Sequence, residues 1–142
     1  MKYCYDYPMP AVTVDAIIID EITKRSILLI ERGNYPYKGM WALPGGFIEM
    51  EENLIDSVKR EVFEETCLDD IEFIQFGAYG DVGRDPRGRT ISVVFYGLCK
   101  DIEKAVAGDD AEKLKWFDLD ELPSLAFDHF NVIEDFIRLV NI

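Results

Sequence analysis

Apolar positions along the chain form two short runs near its start and recur with a helical period in two later segments. Residues 11–20 (AVTVDAIIID) and 26–31 (SILLIE) are β-branched and aliphatic, with a polar stretch at 21–25 between them. They predict an antiparallel strand pair. After a loop at 34–39, WALPGGF at 41–47 is strand-like up to a Pro-Gly-Gly turn, whose glycines open backbone conformations closed to other residues. Leu54, Val58 and Val62 then recur every four residues, predicting a helix over 53–66 that packs this stripe on a sheet and turns its glutamates away from it. Residues 71–79 and 90–98 read as strands flanking a loop at 80–89, and 114–117 as a short strand. Phe127, Phe130, Ile133, Ile137 and Val140 predict a terminal amphipathic helix over 128–141. Strands on either side of a central helix, with a second helix at the end, imply an α/β fold with a mixed sheet between helices. No internal repeat, low-complexity segment or linker interrupts residues 1–142, so a single domain is expected.

Charge changes this picture at the first helix. Its last two turns carry Arg60, Glu61, Glu64 and Glu65, so like charges crowd one face at spacings of three and four. Glu64 and Glu65 also stand at the carbonyl end, where the helix dipole favours cations. A bound cation explains charge placed against both rules, and clustered carboxylates suit hard ions such as Mg²⁺. The competing reading is a solvated acidic face. The whole chain has a formal charge of −13, which opposes attraction to nucleic-acid phosphates, so no nucleic-acid partner is expected. No apolar run is long enough to span a bilayer, and the aromatic, polar start MKYCYDYP lacks a basic-then-apolar leader pattern. The expected location is cytoplasmic, without membrane partners. Cys4, Cys67 and Cys99 are odd in number, far apart and without metal-type spacing, which argues for reduced thiols.

From Gly46 five residues lead to Glu52, and seven more lead to REVFEETCL at 60–68. At these fixed spacings the chain resembles the Nudix hydrolases, with Cys67 where that family has glycine. A left-handed helix exit at this position suits glycine, so the exit is the feature the departure leaves open. The resemblance implies an α/β/α sandwich and water attack on the pyrophosphate of a nucleoside diphosphate derivative, with Mg²⁺ or Mn²⁺ bound. Such ions neutralise phosphate charge and lower the pKa of bound water. Carried over residue by residue, Glu61 and Glu65 would be metal ligands, and Glu64 a third ligand or the holder of the attacking water. A main-chain carbonyl near Gly45 or Gly46 would complete the shell. Arg60 would be structural, pairing with Glu49 or Glu52 to hold the loop on the helix.

Substrate choice should lie elsewhere. Arg84, Arg87 and Arg89 fall within six residues between two strands, and guanidinium forks suit phosphate oxygens. The alternative is that they balance an acidic surface. The stretches GRDPRGRTISVVFYG at 83–97, AGDDA at 107–111 and LAFDH at 125–129 are similar to the Nudix subgroup that includes ADP-ribose pyrophosphatases. Asp109, Asp110 and Glu112 are candidates for a catalytic base, with Asp110 the one selected; a Gly-Asp-Asp turn is the alternative reading. Tyr35, Tyr37 and Trp41 could stack a base, although Trp41 in an apolar strand is also a core residue. His129, the only histidine, is assigned a cap or surface role. The expected activity is hydrolysis of ADP-ribose to AMP and ribose 5-phosphate. The alternatives are pyrophosphate removal from a modified nucleoside triphosphate, or an ADP-ribose-sensing module without turnover. Tyr3, Tyr5, Tyr7 and Met9, together with the resemblance, are compatible with a homodimer.

Overall fold

A computed structural model describes residues 2–108 and 111–141. Its centre is β1 (Ala11–Asp20), buried without a break from Thr13 to Asp20. Such a strand needs cover on both faces. It pairs in parallel with β6 (Thr90–Cys99), from Ala11 opposite Thr90 to Asp20 opposite Cys99, and antiparallel with β2 (Ser26–Arg32). Beyond β2 lie β3 (Trp41–Ala42) and β7 (Ala111–Asp118); beyond β6 lies β5 (Ile74–Tyr79), joined to it antiparallel across the 80–89 loop. β4 (Gly45–Phe47) pairs with β1 in the register Val14 to Gly46 and Asp15 to Gly45.

Because side chains alternate across a strand, β1 feeds two cores. Val14, Ala16 and Ile18 pack with Val58 and Val62 of α1 (Leu54–Thr66). Ile17 and Ile19 pack with Val132, Ile133 and Phe136 of α2 (His129–Val140) on the opposite face. The expected sandwich of a mixed sheet between helices is therefore the observed one. Among the described residues no helix is long and apolar enough to cross a membrane.

Several boundaries differ from the sequence reading. The Pro-Gly-Gly segment is a turn only as far as Pro44, since both glycines lie in β4 and pair with β1. β5 starts at Ile74, while the buried Ile71 packs in the first core from outside any strand. β7 is twice the expected length because β2 supplies a partner along all of it. Phe130 is half-exposed; the buried stripe of α2 runs instead through His129, Val132, Ile133 and Phe136. Tyr3, Tyr5, Tyr7 and Met9 are exposed.

Candidate active site

A cleft of about 550 Å³ opens where β1, β4, α1, the 80–89 loop and the start of α2 meet. Its acidic wall comes from α1. Glu61, Glu64 and Glu65 all line it, so the expectation that the glutamates turn away from the sheet is corrected. The physical reason is β4, which lies along the helix flank and draws the carboxylates inward. The Gly45 N–H donates to Glu65 Oε1 at 2.7 Å, and Glu65 is only 8% exposed. A Cβ on Gly46 would sit 2.6 Å from the Glu61 carboxylate, and one on Gly45 would sit 2.1 Å from the Val14 carbonyl oxygen. Real Cβ atoms do not approach so closely, so both glycines are needed for the backbone to reach the helix.

Arg60 ties this wall together. Its Nε and Nη2 donate to the two Glu52 oxygens at 2.7 and 2.9 Å, and Nη2 also reaches the Phe47 carbonyl at 3.2 Å. Nη1 donates to Glu61 Oε1 at 2.8 Å and Glu64 Oε2 at 3.2 Å. All five guanidinium N–H groups thus have acceptors. Arg60 hydrogen bonds hold the Glu52 carboxyl down at about 2. Glu61 moves the other way: burial raises its pKa, Arg60 opposes the rise, and Glu64 and Glu52 add to it. Pairing with Glu52 matches the sequence reading; the contacts to Glu61 and Glu64 were not foreseen, and they place a counter-charge inside the acidic cluster.

Among the described residues, no three acidic, histidine or cysteine side chains are gathered into a ready-made metal cage. The donors nonetheless suit a hard divalent ion in kind and in place. The Glu61 carboxylate borders the narrow gap kept open by Gly46, Glu64 and Glu65 line the same wall, and clustered carboxylate oxygens are the donors such an ion takes. Glu61, Glu64, Glu65 and the Gly46 backbone are the groups that could hold such an ion.

The opposite wall is basic and aromatic. Arg84 and Arg87 line the cleft with Tyr35, whereas Arg89 and Trp41 are not among its described lining residues. Arg89 donates to the Gly80 carbonyl at 2.6 Å from an exposed position, and Trp41 packs edge-on against Phe117 at 4.9 Å between ring centroids. Arg87 forks onto Asp85, with Nη2 2.8 Å from Oδ2, and its guanidinium carbon lies 4.7 Å from the Phe47 ring centroid and 5.3 Å from that of Phe127. Arg84 forks onto Asp128 at 2.9 and 2.7 Å and is almost wholly buried. Arg32, overlooked in the sequence, lies over Phe127 at 5.0 Å. Burial and the neighbouring Arg87 lower its pKa, the mark of a crowded positive corner. Tyr37 packs edge-on against Phe127 at 4.8 Å.

The cleft lining also includes a buried polar group that sequence reading missed, with Asp15 and His129 in it. Ser92 donates to Asp15 Oδ2, and His129 Nε2 is 3.7 Å from the same oxygen. The Leu43 N–H donates to His129 Nδ1 at 3.0 Å, so His129 is a buried connector and not the cap or surface residue expected. Burial would raise the Asp15 pKa, but His129, Ser92 and Arg84 outweigh it and lower the value. A carboxylate inside an otherwise apolar strand was the available signal. Asp109, Asp110 and the Glu112 side chain, the base candidates, lie outside the described residues.

The NUDIX domain profile matches residues 9–138. An ADP-ribose pyrophosphatase of Methanocaldococcus jannaschii is 47% identical over 135 residues, covering 95% of this chain and 78% of that protein. An ADPR responsive transcriptional repressor, NtrR, of Acinetobacter baylyi is 37% identical over 96% of this chain, which spans 57% of the repressor. Among solved structures, the NUDIX domain of Shewanella oneidensis NrtR complexed with ADP ribose superposes with a TM-score of 0.87 at 30% identity, covering 96% of this chain and 94% of that one. The glycine-gated acidic wall, the sandwich that carries it and these matches together make the chain a member of the NUDIX family.

Proposed function

We propose that this protein hydrolyses the pyrophosphate bond of ADP-ribose, yielding AMP and ribose 5-phosphate, with Mg²⁺ or Mn²⁺ bound. The observation that carries the proposal is one cleft with a carboxylate wall facing a guanidinium wall. The 47% identity to an ADP-ribose pyrophosphatase supports the choice of substrate. Glu61, Glu65, Glu64 and the Gly46 carbonyl would hold the ion, which when bound neutralises phosphate charge and acidifies water.

The chain's own residues divide the remaining work. Arg87, half-exposed beside Arg32, offers N–H donors to phosphate oxygens, and Arg84 adds buried positive charge behind it. Tyr35, largely exposed at the rim, offers a ring face to a base. Glu64, the most exposed of the three helix carboxylates, suits orientation of the attacking water. Asp110 is retained as the base, to accept its proton. Arg60 keeps Glu61 and Glu64 in place. The substrate is a small molecule, and an acidic, cytoplasmic protein without a nucleic-acid partner fits that role.

Purified protein with Mg²⁺ should release AMP from ADP-ribose. Arg87→Ala should lower kcat/KM by about 10- to 100-fold, the loss of one or two charged hydrogen bonds. Absence of cleavage of any nucleoside diphosphate derivative with either metal overturns the proposal.

A second reading is favoured by one observation, the likeness to an ADP-ribose-complexed domain of a regulator: the chain binds ADP-ribose without turning it over. Calorimetric binding by the wild type with no AMP release would select it. Retained binding with lost turnover in Glu65→Gln would select the enzyme.

A further inference from the structure

Two consecutive residues at the start of α2 reach opposite walls of the cleft. Asp128 takes both forks of Arg84, and His129 accepts the Leu43 N–H two residues before Gly45. These are long connections: Leu43 and His129 are 86 positions apart, and Arg84 and Asp128 are 44 apart. Each is buried or nearly so, where an unmet donor is costly. Leu43 would be such a donor without the ring. On the ring's other side, Nε2 lies 3.7 Å from Oδ2 of Asp15, itself held by Ser92. A ring protonated at Nε2 satisfies both contacts, since Nδ1 must keep its lone pair for Leu43.

We propose that Asp128 and His129 are positioning residues that set the two walls of the cleft in register, His129 by fixing the backbone that leads into Gly45 and Gly46, and Asp128 by aiming Arg84. Both act through other groups, and neither needs to touch substrate. Phe127, immediately before them, adopts a left-handed backbone (φ 54°) and lies under the Arg32 and Arg87 guanidinium groups, so the start of α2 meets the basic wall on two sides. The inference rests on the proposed function for its kinetic consequences alone.

The test combines a readout of backbone position with kinetics. His129→Leu removes the acceptor, and exchange of the Leu43 amide, followed by NMR without metal or substrate, should speed up by about tenfold or more, while the Val132 and Ile133 amides keep their wild-type rates. Mn²⁺ binding, titrated by EPR, should weaken about tenfold as the glycine backbone loosens. In His129→Asn, Oδ1 replaces Nδ1 as acceptor, and Leu43 exchange should return to within about threefold of wild type. Asp128→Asn should leave Leu43 exchange unchanged and raise the KM for ADP-ribose about tenfold with kcat within about twofold. Unchanged Leu43 exchange in His129→Leu, failed rescue by His129→Asn, or identical shifts from both positions would overturn the inference. If the wild type does not turn over ADP-ribose, the proposed function falls, whereas Leu43 exchange and Mn²⁺ titration still judge the role of His129.

Discussion

Cys67 stands where the resembled family has glycine, and it adopts the left-handed backbone a glycine would, with φ 63° and its N–H donating to the Phe63 carbonyl. A residue with a Cβ is disfavoured there by roughly 1–2 kcal/mol, while glycine would lose about 0.4–1 kcal/mol more conformational freedom on folding. Cys67→Gly should therefore stabilise the protein by about 0.5–1 kcal/mol, a rise of roughly 2–3 °C in Tm by calorimetry. An unchanged or lower Tm would mean that the cysteine side chain compensates through its surroundings. The helix exit keeps its shape despite the departure because the backbone of residues 106–108 is tied to it: Val106 and Gly108 donate to the Thr66 and Glu65 carbonyls. A Cβ on Gly108 would lie 2.4 Å from the Glu64 carbonyl oxygen. One glycine of the exit has, in effect, its counterpart across the contact.

The element that most needs its neighbours is the 80–89 loop. Arg87 is paired within the loop, to Asp85, and Arg84 outside it, to Asp128. Burial would raise the Asp85 carboxyl pKa, but hydrogen bonds from the Arg87 side chain and backbone, with the Arg87 and Arg84 charges, lower it below the ordinary carboxylate value. With the folded pKa below the unfolded one, the pair adds stability above the unfolded value, near 4, and loses it as pH falls through the folded value. Urea unfolding of wild type and Asp85→Asn should show a constant difference from about pH 7 to 5 that shrinks below about pH 4. A difference that persists to pH 2 would show that Asp85 contributes something other than its charge. The same loop explains why three arginines in sequence yield only two in the cleft: the β5–β6 hairpin turns Arg89 outward to the Gly80 carbonyl.

At the scale of the whole molecule, a chain of net charge −13 brings Arg32, Arg84 and Arg87 into the same cleft as Glu61, Glu64 and Glu65. A divalent ion bound by the folded chain alone should raise Tm progressively with Mg²⁺ concentration, and EDTA should reverse the rise along with activity. No shift up to about 10 mM Mg²⁺ would count against the carboxylate wall as its site. The helix pattern of Leu54, Val58 and Val62, the β-branched and aliphatic run of β1 and the Glu52 to Glu65 spacing are local, so the sequence by itself determined the central sheet strands, both helices, the acidic face and its resemblance. Local pattern also misled where a neighbour decided the outcome. Phe130 has the right period but is half-exposed, and the glutamates read as facing away from the sheet because nothing local shows β4 beside them. Only the tertiary structure brought Asp15, Ser92, Leu43 and His129 together, put Arg32 beside Arg87 and aimed Asp128 at Arg84. Those contacts join residues 44 or more positions apart, and periodicity, which carries direction but not partnership, holds no record of them.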